Sequence, residues 1–204
     1  MVLLIATKCR SAVINNEVYQ IFNESGAVLY GHFLLTSGLH SDVYWEKMRV
    51  VQHPKTCEHL CKIIVKHYKD LEVDFVAGPT TAGIILAYEI AKKLNKPCLF
   101  AEKVGEERQF KRGLELSKGQ KVLIIDDILT TGKSVNEVIT AVEKAGAIVI
   151  AIAVLVDRSE KGLKFNNIPV FSCLRAPAVA YKPDDCPMCK QGVPLSILGS
   201  AKKI

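Results

Sequence analysis

Lys121 to Ala145 reads KVLIIDDILTTGKSVNEVITAVEKA. The opening run Val122-Leu123-Ile124-Ile125 is short, rich in β-branched residues and free of alternation. It predicts a strand covered on both faces, as in a parallel sheet. Two carboxylates follow, Asp126 and Asp127, then Ile128-Leu129 and the polar run Thr130-Thr131-Gly132-Lys133-Ser134. A helix pattern begins directly afterwards, with Val135, Val138, Ile139 and Val142 at i, i+3, i+4 and i+7. Ser134 and Glu137 have the spacing of a capping box, and Gly146 suits the C-terminal stop.

A strand, a polar turn and a helix start form a phosphate cradle. The first backbone N–H groups of a helix lack intrahelical partners, and the helix dipole favours an anion there. Thr130, Thr131 and Ser134 add hydroxyl donors, and Gly132 allows close backbone approach. Two carboxylates beside such a cradle suit a ligand that also brings hydroxyl groups or a metal ion. A ribose 5-phosphate has both a phosphate and a vicinal diol. Without those carboxylates the stretch reads as an ordinary βα turn with local caps.

The segment from Asp126 to Ser134, preceded by four apolar residues, resembles the motif by which type I phosphoribosyltransferases bind phosphoribosyl diphosphate (PRPP). The resemblance implies that Asp126 and Asp127 bind the ribose hydroxyls. It implies that the turn of Ile128, Leu129, Thr130, Thr131, Gly132, Lys133 and Ser134 holds the 5′-phosphate.

The chain has 204 residues, with 27 basic against 21 acidic side chains and a net charge of +6. That length predicts one core with at most a small appendage. The mild positive charge fits a phosphorylated substrate and equally fits solvated surface lysines. No Lys/Arg block argues for nucleic acid, and no apolar run reaches membrane-spanning length. Val2 to Ala6 is too short for a signal-peptide core and lacks a basic start, so a cytoplasmic protein is expected. Seven cysteines are an odd number and argue against a secreted disulfide framework.

A weak helical pattern covers Val13 to Asn23. Residues 31–45 are β-rich, with a turn at Ser37-Gly38. Phe33, Leu35, Ser37 and Gly38 are similar to an F-x-L-x-S-G segment of the orotate phosphoribosyltransferases, and Tyr44-Trp45 sits where an aromatic pair is expected in a hood over the base. Thr36 stands where that family commonly has lysine, so a cation is missing there. Cys57, Leu60, Cys61, Ile64, Val65 and Tyr68 mark one apolar helix face, with both thiols packed as small hydrophobes and with His59 and His67 off the face.

Val73 to Ala77 reads as a strand leading into Gly78-Pro79-Thr80-Thr81-Ala82-Gly83 and a helix bearing Leu86, Ala87, Ile90, Ala91 and Leu94. This second strand-turn-helix suits a second anion. By the resemblance it binds the diphosphate of PRPP and contains a non-proline cis peptide, which falls at Thr80-Thr81. Pro97 to Ala101 is the next strand. The charged, aperiodic stretch Glu102 to Gly113 reads either as a surface loop or as a lid that carries cations to the substrate. In the orotate family such a loop enters the neighbouring subunit's site. Lys103 matches a family lysine; a later lysine and histidine do not match, and Arg108, Lys111 and Arg112 are candidates to replace their charge.

Ile148 to Val156 predicts a strand that ends in Asp157-Arg158-Ser159-Glu160-Lys161-Gly162. An arginine at that edge faces the ligand side of an open α/β sheet. The segment is similar to a D-R-x-E-x-G segment of the orotate family, in which the arginine contacts the substrate carboxylate. Pro169 to Cys173 is a last short strand. Cys186 and Cys189 form a C-x-x-C pair, half of a zinc set that Cys9, Cys173 or a second subunit would have to complete. A redox pair, or no essential role, is the alternative, and no metal-ligating residue is assigned.

The expected fold is α/β, a mostly parallel sheet flanked by helices, with a small hood from roughly residues 1–50. One phosphoribosyltransferase domain over 1–204 is expected, with 174–204 as an appendage. The resemblance, running from about Val18 to Gly162, implies transfer of phosphoribose from PRPP to orotate, with Mg²⁺ carried on the diphosphate, Lys103 neutralising that diphosphate, Thr130 and Arg158 contacting orotate, and a homodimer. A phosphoribosyltransferase for another base and a non-catalytic PRPP sensor are the competing readings.

Overall fold

The computed structural model describes residues 16–35, 37–113 and 115–198. Val2 to Ala6, Cys9, Val13 and Thr36 lie outside the described residues. In chain order the elements are α1 (Asn16–Glu24), β1 (Val28–Leu34), β2 (His40–Trp45), α2 (Met48–Val51), α3 (Pro54–His67), β3 (Phe75–Pro79), α4 (Ala82–Leu94), β4 (Cys98–Val104), β5 (Glu107–Phe110), β6 (Lys121–Leu129), α5 (Lys133–Lys144), β7 (Ile148–Asp157), β8 (Val170–Arg175), α6 (Pro187–Lys190) and β9 (Ser196–Ile197).

The main sheet has six strands in the order β5-β4-β3-β6-β7-β8. Every pairing is parallel except β4 with β5. In β6, Leu123 and Ile125 join the core under α3 and α4, while Val122 and Ile124 join the core under α5. A strand sealed on both faces is therefore apolar at consecutive positions, as its sequence predicts. All four α5 positions at helical spacing are buried. The N–H groups of Gly146 and Ala147 bond the carbonyls of Glu143 and Val142 and close the helix. On α3, Cys57, Leu60, Cys61 and Ile64 are buried, so both thiols do pack as apolar groups.

Two expectations change. Strand β6 does not stop before the carboxylates; it continues through Leu129, because Asp126, Ile128 and Leu129 pair with Val154, Val156 and Asp157 of β7. The charged stretch after β4 is not wholly a loop. Arg108 pairs with Lys103 and Phe110 with Ala101, so β4 and β5 form an antiparallel hairpin at the sheet edge.

A second sheet, ordered β2-β1-β9, is built from both ends of the chain. β1 pairs antiparallel with β2 and parallel with β9. His40 and Tyr181 exchange two backbone hydrogen bonds of 2.8 Å, which tie the C-terminal segment to the start of β2. Trp45 is buried against Phe22, with ring centroids 5.2 Å apart. Among the described residues no helix is long and apolar enough to cross a membrane.

Candidate active site

From β3 the chain steps through α4 to β4 on one side; from β6 it steps through α5 to β7 on the other. The strand order therefore reverses between β3 and β6, and a crevice opens at their carboxyl ends. Both turns singled out in the sequence meet at that crevice.

The first turn follows β3. The Thr80–Thr81 peptide is cis, as the resemblance implies. A methyl group on Gly78 would lie 2.4 Å from the Gly83 carbonyl oxygen, so only glycine lets α4 start this close to β3. Thr81 caps α4 without a side-chain hydrogen bond.

The second turn follows β6. Gly132 has φ +75 and caps α5 with no side-chain hydrogen bond. A Cβ on Gly132 would meet Phe165 at 2.9 Å, so both the backbone angle and the packing require glycine. The expected capping box is not formed. Ser134 lies inside α5 and gives its hydroxyl to Asp126 Oδ2 at 2.5 Å, because a buried carboxylate is the more demanding acceptor. Glu137 turns instead to Arg108 and Lys103. The turn's own N–H groups are thus left facing the crevice.

Asp126 is buried and also accepts the Asp127 N–H at 2.8 Å. Burial, then the Asp127 carboxylate, push its pKa up to about 7. Burial also raises the Asp127 pKa, opposed by the Lys47 ammonium 4.0 Å away. Thr130, Thr131 and Lys133 are exposed at the turn. Ile128 packs on one core and Leu129 lies in the other. Their side chains therefore serve packing, and the Leu129 carbonyl accepts the Arg158 N–H at 2.7 Å.

Arg108 joins the two turns. It donates to Thr80 Oγ1 and to the Ala101 carbonyl, each at 3.0 Å, and to Glu137 at 3.1 Å. Lys103 Nζ lies 3.7 Å from the same Glu137. Arg112 pairs with Glu102 instead.

Arg158 follows β7. It is 7% exposed, and its Nε has no hydrogen-bond partner. Its guanidinium sits 5.8 Å from the centre of the Trp45 ring. Burial lowers its pKa to about 10, with Asp42 opposing. Next to it, Asp157 accepts the Ser159 N–H and hydroxyl and an Arg175 guanidinium N–H, which brace the segment. The arrangement sets a buried guanidinium against an indole wall beside a carboxylate pair and two anion turns.

Sequence reasoning missed Lys47, Asp42 and Glu137. Glu137 carried a signal, since its spacing from Ser134 places both on the first turn of α5. It also missed the partners of the C-x-x-C pair. Cys173 is buried in β8; the side chains grouped with Cys186 and Cys189 are His32 and His40.

The family described as phosphoribosyl transferase domain matches residues 48–187, and the chain belongs to it. An orotate phosphoribosyltransferase from Thermoanaerobacter sp. (strain X514) is 41% identical over 186 residues, spanning 91% of this chain and 97% of that protein. One from Caldicellulosiruptor bescii is 38% identical over 192 residues, 93% of this chain and 100% of that protein. These relatives place the chain, within the family, among the orotate phosphoribosyltransferases. The solved orotate phosphoribosyltransferase from Aeropyrum pernix superimposes with a TM-score of 0.62 at 25% identity, over 88% of this chain and 91% of that one.

Proposed function

We propose that this protein transfers the phosphoribosyl group of PRPP to orotate, giving orotidine 5′-phosphate and diphosphate, a step of pyrimidine nucleotide synthesis. The observation that carries the base assignment is Arg158. A guanidinium with an unpartnered Nε, buried against Trp45, needs a planar anion, and a carboxylate takes two parallel N–H bonds from its fork.

In this reading Asp126 and Asp127 accept hydrogen bonds from the ribose diol. The turn from Thr130 to Ser134 holds the 5′-phosphate at the start of α5, and Thr130 also meets orotate. The Thr80–Thr81 turn, Arg108 and Lys103 face the diphosphate. The reaction moves positive charge onto the ribose ring and negative charge onto the leaving diphosphate. Fixed carboxylates on one side and fixed cations on the other stabilise that separation without reorganising. Mg²⁺ enters with the substrate, held by the diphosphate. Asp126 and Asp127 fit that role, because their oxygens are engaged with Ser134 and with backbone N–H groups rather than grouped as a protein cage. Two chains pair as a homodimer and share the charged β4–β5 hairpin between sites.

The test is diphosphate release from PRPP and Mg²⁺ with orotate, uracil, hypoxanthine or adenine offered in parallel. Orotate alone should support turnover. Arg158→Leu should reduce kcat/KM for orotate by about a hundredfold or more, the scale of one lost charged contact made in a dry site. Turnover with a base lacking a carboxylate, at a rate equal to orotate, would overturn the assignment.

A further inference from the structure

Four side chains that the transferase reaction leaves unused converge at the outer sheet. They are His32 on β1, His40 at the start of β2, and Cys186 and Cys189 around α6. One donor atom from each lies within 4.8 Å of all the others. Cys186 Sγ is 3.5 Å from His32 Nε2, and Cys189 Sγ is 3.7 Å from the same atom and 3.3 Å from His40 Nδ1. The two ring nitrogens are 2.9 Å apart. With Zn–N near 2.0 Å and Zn–S near 2.3 Å, a tetrahedral site has ligand-to-ligand edges of about 3.3–3.8 Å. The three sulfur-nitrogen edges fit, and the nitrogen pair needs only to part by a few tenths of an ångström.

The chemistry of each donor points the same way. His32 Nδ1 lies 2.7 Å from the Val193 carbonyl oxygen. A carbonyl only accepts, so Nδ1 carries the proton and Nε2 turns its lone pair to the other three groups. A second-shell carbonyl of this kind orients a metal-bound imidazole. His32, His40 and Cys186 are 3%, 5% and 0% exposed, so water does not complete the set. Two thiolates and two neutral imidazoles around Zn²⁺ sum to no net charge, which allows burial at that point. Lone pairs facing one another without a cation would not be favourable there.

We propose that His32, His40, Cys186 and Cys189 bind one zinc ion as a closed, structural site. Binding replaces the two thiol protons, which are released to solvent, and changes no oxidation state. The ion clamps the C-terminal segment onto β1 and β2. It therefore steadies the strand that carries Asp42 and Trp45 beside Arg158, without touching substrate. Neither Cys9 nor a second subunit is required.

The full-length protein, purified without a histidine tag, should contain close to one equivalent of zinc per chain by elemental mass spectrometry. Cys189→Ser, at the most exposed ligand, should lower that content at least fivefold. Protein stripped with a chelator and loaded with Co²⁺ should show the intense visible bands of a tetrahedral ion and a near-ultraviolet sulfur-to-cobalt band, the latter weakened in Cys189→Ser. Removing the zinc should lower the thermal midpoint, and Zn²⁺ but not Mg²⁺ should restore it. Folded wild-type protein that takes up no zinc or cobalt with both thiols reduced would overturn the site. A Cys186–Cys189 disulfide in freshly purified protein would overturn it as well. Because the wild-type cobalt spectrum is a readout in itself, misfolding of a variant does not decide the question.

Discussion

Asp126→Asn separates what this carboxylate does for a substrate from what it costs the fold. Burial, then Asp127, raise its pKa from 3.8 to about 7, against the pull of the Ser134 hydroxyl and the Asp127 N–H. A carboxyl with a higher pKa when folded holds its proton more tightly in the folded chain. Its contribution to stability is fully present below the unfolded pKa and is lost as pH rises through the folded one. Between 3.8 and about 7, at ~1.4 kcal/mol per unit, that loss is about 4 kcal/mol, and it belongs to the Asp126–Asp127 pair rather than to one residue. Asparagine carries no charge at any of these pH values. It keeps one of the two local hydrogen bonds and loses the other, a cost of about 1 kcal/mol. The variant should therefore be slightly less stable than the parent near pH 4 and about 3 kcal/mol more stable near pH 8. Urea unfolding across that range, at one protein concentration, measures the difference, and calorimetry with PRPP at neutral pH measures binding, which should weaken about tenfold or more. A stability difference that stays flat with pH would refute the burial argument. A variant that gains stability and binds PRPP as tightly as the parent would refute the ribose assignment.

Gly78→Ala should destabilise the fold by about 3 kcal/mol, read as a lower urea midpoint, because backbone carbonyls at 2.4 Å (Gly83) and 3.0 Å (Ile125) close on the new methyl from both sides; a loss below about 1 kcal/mol would mean the strand and helix part more easily than their packing indicates. Mixing Lys103→Ala with Asp127→Asn chains should restore about a quarter of parental activity if a dimer shares the hairpin, since half the hybrid's sites would be intact; no recovery on mixing would assign Lys103 to its own chain's site.

Local patterns survived folding well. The unbroken apolar run of β6 and the stripes of α3 and α5 each reflect a burial decision made within one element, and such decisions leave a period in the sequence. Strand β5 kept its period but disguised it. In Glu107-Arg108-Gln109-Phe110 the inward positions are Arg108 and Phe110, so a functional cation occupies an apolar slot and the alternation disappears. Ser134 shows a different limit. Its spacing suited a cap, but the choice between capping a helix and bonding a carboxylate depends on how deeply Asp126 is buried, which only the packed sheet decides. Lys47 with Asp127, and His32 with Cys186, lie 80 and 154 positions apart, and nothing local in either segment encodes the meeting.

The parallel pairing of β1 with β9 joins Leu34 to Ile197. On a ribosome adding ~5–20 residues per second, β1 exists for roughly ten to thirty seconds before its third strand is made. During that time β1 and β2 form only a two-stranded ribbon, with one open row of backbone donors and acceptors and with Phe33 and Leu34 uncovered. Such a ribbon has marginal stability alone and invites pairing with other chains. The wall beside Arg158 is therefore among the last parts of the molecule to set, and the nascent chain carries its most vulnerable edge near its beginning until residues far downstream arrive to close it.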